Sequence, residues 1–334
     1  MTRKASIDIA KGLGISLVVI GHLNDFFDTN IPGAHSFIYL FHVPLFFFLS
    51  GLFFKENEGF CEYFKKKFFR LYIPYLLANI FFFAVEMIRA KLLGNAYDGY
   101  LSWRDLYNAV FGLWPVVSML SGPTWFILIL FRVFIIYILL QLLFKGNKYL
   151  MLSVCVLAGI IGALSTIGNY RISQTLAALP FFSLGHVCTA GFVDNQKVFS
   201  PFKCVIFGLA SAIALYFISC HQNTNIAMNV YGSIPLYFTG AFIGIMMVLW
   251  ISKLLERWTV ASKSLSFVCK FTMPILIWHI FVIKVLFTIV EKGLGIPGGS
   301  VLQILGFLTG ILVPIGMSFG FKKMKSWLLL YLSP

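Results

Sequence analysis

Charge is what this chain has least of. Only 11% of its 334 residues are charged while 59% are hydrophobic, whereas a soluble domain typically carries about 25% charged residues. Long apolar runs recur along the whole length, which excludes a soluble domain with a single anchor and points to a polytopic membrane protein. Cysteine is sparse and scattered: Cys61, Cys155, Cys188, Cys204, Cys220 and Cys269. Only Cys220 is expected on the outer side, so no disulfide framework is implied. None of the six has a metal-ligand spacing, and no metal is expected. There is no Gly-rich phosphate loop after a strand, no internal repeat and no low-complexity segment. Arg3 and Lys4 resemble the start of a leader, but the apolar run behind them ends in His22, Asn24 and Asp25. Without a small-residue cleavage site, a removable signal peptide is not expected.

What is present is a series of ten hydrophobic segments, near 7–27, 36–54, 71–93, 123–144, 149–168, 173–193, 201–219, 232–252, 267–290 and 300–320. Each is about the length that crosses a bilayer as a helix. The expected fold is an all-α polytopic membrane helix bundle of about ten transmembrane helices, one integral-membrane domain over 1–334. With the N-terminus inside, nineteen basic residues fall on the inner side and five on the outer, with Arg132 and Lys284 inside spans. That bias places both termini in the cytoplasm and accounts for most of the net charge of +14. Membrane lipid is therefore an expected partner. Nucleic acid is not, because the charges lie in many short loops rather than on one surface.

The first segment is the unusual one. Asp8, Lys11, His22 and Asp25 interrupt an otherwise apolar stretch. Eleven residues, about 16 Å of helix, separate Lys11 from His22, and at about 100° per residue the two return to nearly the same face. A polar stripe on a membrane helix must face protein or water, so it reads as the wall of a site. Asp8 can also simply pair with Lys11 across one turn. The second segment opens Phe41-His42-Val43-Pro44, with His42 at about the depth of His22. The inner stretch Lys65-Lys66-Lys67-Phe68-Phe69-Arg70 serves equally as an anchor on anionic lipid or as a surface for a cytoplasmic polyanion. Arg70 stands at the mouth of the third span, just before Pro74. The outer stretch 94–122, with Trp103, Tyr107, Trp114 and Pro115, suits an interfacial amphipathic helix or a re-entrant piece. Gly185-His186 and Trp278-His279 are polar exceptions in later spans. A single histidine in such a span serves equally as an interhelical hydrogen bond. His35 and His221 fall in loops and carry no chemistry.

A basic residue, ten intervening residues and a histidine on the first span, here Lys11 and His22, resemble the signature of the acyltransferase 3 family of integral-membrane acyltransferases. The wording from Asp8 through His22 is similar to its fucose 4-O-acetylase-like branch. Phe41 to Gly51, Arg70-Leu71-Tyr72-Ile73-Pro74-Tyr75, Thr124-Trp125-Phe126 and Met273 to His279 resemble further family stretches, with Trp278 standing where a Tyr is usual. The resemblance implies transfer of an acyl group, usually acetyl from acetyl-CoA, to a sugar hydroxyl of a surface glycan or lipid-linked precursor. It implies a protein of the bacterial cytoplasmic membrane. His22 would act as general base or transient acyl carrier, with Asp25 or His42 orienting it or meeting the acceptor. Lys11, Arg70, Lys66 and Ser50 are the residues expected to hold the donor, its anionic phosphates above all. The rival expectation is a glycan or solute transporter whose charged stripe relays protons.

Overall fold

The computed structural model describes residues 4–23, 34–56, 59–94, 102–112, 119–165, 171–295 and 299–332. Asp25 and Trp114 lie outside them. Helices dominate because a bilayer leaves no water to satisfy backbone groups, and a helix satisfies its own. In chain order they are α1 (Ala5–Leu23), α2 (Ala34–Tyr39), α3 (His42–Gly51), α4 (Phe60–Lys67), α5 (Ile73–Leu93), α6 (Trp103–Phe111), α7 (Trp125–Leu143) and α8 (Lys148–Leu164). There follow α9 (Ile172–Cys188), α10 (Gln196–Phe199), α11 (Pro201–Cys220), α12 (Ile234–Leu255), α13 (Thr259–Cys269), α14 (Thr272–Phe287) and α15 (Ser300–Leu332). Among the described residues there is no strand, only an isolated bridge between Asn225 and Val230.

Among the described residues, seven helical stretches are long and apolar enough to cross a membrane, and three shorter apolar helices, His35–Gly51, Lys148–Leu164 and Ile172–Cys188, complete the set. These ten correspond one to one with the segments expected from hydropathy. Contacts respect the alternation. Lys4 pairs with Asp194, Glu56 with Lys148, and Cys269 Sγ donates to Asp8 at 3.6 Å. In the expected topology all six residues belong to the inner side or to the inner end of a span.

Three details depart from the expectation, each for a local reason. The second segment is broken: α2 ends at Tyr39 and α3 begins at His42. Pro44 has no N–H to donate to Leu40, so the i→i−4 ladder cannot run through. His35, expected in a loop, belongs to α2 and stacks on Tyr39 with ring centroids 3.7 Å apart. The inner stretch before the third span is not a separate segment, because α4 runs into α5 through a π-helical turn, Phe68–Tyr72. Pro74 cannot donate and its ring crowds the carbonyl of Arg70, and the wider turn relieves both.

Within the outer stretch, α6 presents Trp103, Tyr107 and Phe111 as one exposed stripe. Its last turn touches residues deep in their spans: Tyr72 Oη donates to Val110 O at 3.2 Å, and Arg132 Nη2 to Phe111 O at 2.9 Å. That is the behaviour of a re-entrant piece. Gly112 ends it with φ of +65°, where a Cβ would come within 2.1 Å of Leu128.

α1 is enclosed by α3, α12, α13, α14 and α15. Its small residues permit this: a Cβ on Gly12 would lie 2.3 Å from Leu265 O of α13. α3 and α9 cross as closely. A Cβ on Gly51 would meet Phe182 O at 2.0 Å, and one on Gly185 would meet Phe48 O at 2.1 Å. The site helices α1 and α3 are thus held between neighbours that leave little slack.

Candidate active site

His22 is the penultimate residue of α1, and His42 is the first of α3. Both line one cavity with Val43, Trp125, Phe126 and Thr272. The cavity is narrow, about 40 Å³, which is space for about three water-sized groups. Trp125 and Phe126 reach it because the short 3₁₀ turn Met119–Thr124 delivers α7 alongside, with Thr124 Oγ1 accepting from Asn79 Nδ2 at 3.2 Å.

The imidazoles are oriented by their neighbours. His42 Nδ1 lies 2.8 Å from Ile38 O. A carbonyl only accepts, so Nδ1 carries the proton and Nε2 of the neutral ring keeps its lone pair. His279 in α14 repeats the arrangement, Nδ1 being 2.7 Å from Ile275 O, and its Nε2 is buried with no hydrogen-bond partner among the described residues. His279 lies against His22, ring centroids 5.3 Å apart. His22 Nδ1 is 3.2 Å from the Tyr39 hydroxyl, and Tyr39 also meets the edge of His42 at 4.9 Å. His42 and His279 are each within electrostatic reach of His22.

At the other end of α1, Lys11 is half-buried and its Nζ lies 4.5 Å from the ring centre of Phe53, a cation–π contact. Phe53 closely follows α3. The two helices therefore run antiparallel, with His22 beside His42 at one end and Lys11 beside Phe53 at the other. Each pair is separated from the other by eleven residues, about 16 Å. Ser50 is half-buried in the last turn of α3, at the Lys11 end. Arg70 and Lys66 are exposed, on the π turn and on α4, and neither lines the histidine cavity.

His186 belongs elsewhere. Its Nε2 donates to Glu56 Oε1 at 2.9 Å, its Nδ1 accepts from the Tyr137 hydroxyl at 2.8 Å, and Ser183 Oγ lies 3.2 Å from that hydroxyl. Glu56 also accepts from Lys148 Nζ at 2.8 Å, which holds its carboxyl below the usual carboxylate range with a smaller contribution from His186. This network ties the loop after α3 to α7, α8 and α9, a satisfied polar cluster rather than a reaction centre.

One member of the histidine cluster escaped sequence reasoning. Tyr39 sits one turn before His42 and could have been suspected from that spacing. His279 was singled out in a family-like stretch of a late span, but its contact with His22 was not, because nothing local says that it packs on a residue of the first helix.

The family model described as an acyltransferase domain matches residues 4–321. No curated protein and no solved structure matches the chain. With almost every residue inside that match, and with the basic residue and histidine of the first helix eleven residues apart on it, the chain belongs to the acyltransferase 3 family of integral-membrane acyltransferases.

Proposed function

We propose that the protein moves an acetyl group from cytoplasmic acetyl-CoA to a sugar hydroxyl of a surface glycan or its precursor, in the manner of the fucose 4-O-acetylase-like branch and within a bacterial cytoplasmic membrane. One observation carries this reading: His22, with Tyr39 at its Nδ1, faces the same cavity as His42, while Lys11 stands about 16 Å away along the same helix. That rise suits the phosphopantetheine arm of CoA, with its phosphates at Lys11 and its thioester at the cavity. A cavity for about three water-sized groups favours a short acyl group.

The chemistry then needs only these side chains. A hydroxyl is a poor nucleophile until a base takes its proton. With Nδ1–H donating to the Tyr39 oxygen, His22 presents a bare Nε2 to the cavity. The hydroxyl oxygen attacks the thioester carbonyl as Nε2 accepts its proton. The carbon–sulfur bond breaks, and the proton passes to the leaving CoA thiolate. His42, with its Nε2 lone pair, can accept from a neighbouring hydroxyl of the acceptor sugar and so position the attacking oxygen. In an alternative order, His22 attacks first and carries the acetyl group to the acceptor.

Purified protein in nanodiscs with acetyl-labelled acetyl-CoA provides the test. Slow CoA release, or label transferred to a sugar acceptor, is expected in wild type. Lys11→Ala should weaken acetyl-CoA binding about 10- to 100-fold, the worth of a charge-assisted contact. Absence of both CoA release and acetyl-CoA binding in the wild-type protein would refute the assignment.

A further inference from the structure

A second concave surface, with no residue in common with the histidine cavity, is also mainly apolar but carries a cation in its wall. Phe64, Phe131, Ile136, Ile172 and Leu176 line a groove of about 420 Å³ between α4, α7 and α9, within the range of small-molecule sites. Arg132 is part of its wall. A guanidinium inside a membrane span is costly enough that a functional reason is the default expectation. The Arg132 bond to Phe111 O fixes the orientation of the group while it lines the groove.

Arg171, at the start of α9, adds a second positive charge. It is buried, donates to Ala227 O at 3.2 Å, and lies within electrostatic reach of Arg132. Its guanidinium carbon also stands 5.7 Å from the ring centre of Trp125, and Trp125 lines the histidine cavity. The order in space is therefore apolar groove, two arginines, tryptophan, histidines.

We infer that the groove holds the chain of a lipid whose phosphate sits at Arg132 under the field of Arg171, so that a sugar carried on that phosphate lies against Trp125 and turns one hydroxyl toward the His22 cavity. The inference rests on the acyl-transfer reading and names its acceptor class: a sugar linked through phosphate to a long apolar carrier. Charge complementarity selects this occupant. An uncharged chain would make no use of the positive field of the two arginines, and a free sugar phosphate would leave the apolar wall in water. A free sugar would use neither feature.

The test is direct binding of tritiated farnesyl phosphate, farnesol and phosphatidylglycerol to the full chain in detergent, without acetyl-CoA. Wild type should bind farnesyl phosphate about tenfold or more tighter than farnesol, as expected for a charge-assisted phosphate contact. Arg132→Gln should remove that preference and Arg132→Lys should keep most of it. Ile172→Trp, at an exposed position and so safe for folding, should weaken both prenyl ligands. Equal affinity for farnesyl phosphate and farnesol in wild type would overturn the inference. So would phosphatidylglycerol binding as well as farnesyl phosphate, which would make the groove a seat for bulk lipid. Because no donor is present, these outcomes are read independently of the acetyl-CoA assay. Failure of that assay with prenyl-phosphate selectivity intact would remove the acyl-transfer reading and leave the lipid site.

Discussion

The Tyr39 hydroxyl and His22 form a pair whose two members should fail in one specific way. If Nε2 of His22 takes the acceptor proton, the amide of His22→Asn cannot replace it, and loss of a general base costs about 100- to 10,000-fold, or about 2.7–5.5 kcal/mol of barrier. Tyr39→Phe removes a single neutral hydrogen bond at 3.2 Å but keeps the ring that stacks on His35 and meets His42. Such a bond is worth about 0.5–1.5 kcal/mol, so single-turnover transfer should slow about 2- to 13-fold, with acetyl-CoA affinity unchanged. The hydroxyl acts only through the imidazole. The double variant His22→Asn/Tyr39→Phe should therefore be no slower than His22→Asn alone, a non-additivity expected of directly coupled residues. Single-turnover acetyl transfer in nanodiscs on all four proteins closes the cycle. If the double variant loses the full product of the two factors, Tyr39 acts independently of His22. If His22→Asn keeps more than about a tenth of wild-type rate, far above the loss expected for a base, His22 is structural and the base is to be sought at His42, which lines the same cavity, or at His279, which lies against His22.

Two further outcomes test the scaffold. Gly185→Ala would place a Cβ 2.1 Å from Phe48 O and should cost about 1–3 kcal/mol as α3 and α9 are forced apart, read as a lower melting temperature in detergent; an unchanged melt would mean that the crossing is looser than drawn. Glu56 has its carboxyl lowered from 4.5, first by Lys148, so its contribution is complete above that value and is lost as the pH falls through the lowered one. Melting temperature should drop more steeply below pH about 4.5 in wild type than in Glu56→Gln, and parallel pH profiles would show that the tie carries no stability.

The bundle was legible because membrane helices announce themselves by length and hydropathy alone, and each of the ten segments has its helix. The interruption between Tyr39 and His42 was not, since hydropathy runs unbroken through Leu40 and Phe41 and only Pro44 hints at it. Lys11 and His22 were readable because one helix joins them, and local geometry converts spacing into direction. The His22–His279 contact was not, because it joins residues 257 positions apart and depends on how α14 packs on α1. Arg70 and Lys66 stay open to both readings. Their charge and position at the mouth of a span suggested a donor site, and the π turn and α4 leave both exposed, as a cytoplasmic phosphate site and an anchor on anionic lipid alike require.

The broken second segment gives the site its logic. At the break Ile38 O accepts from both Phe41 N and His42 Nδ1, and Tyr39, the last residue of α2, reaches His22. Non-helical backbone at membrane depth persists only where protein or a cavity surrounds it, and here it borders the cavity it shapes. From that point α1 and α3 run antiparallel toward Lys11 and Phe53, the same eleven residues on each helix. Imidazoles at one end and a cation suited to phosphate at the other are thus one consequence of pairing two short helices. In the proposed reaction, the donor then reaches the cavity along α1 from the Lys11 end, about 16 Å from the histidines.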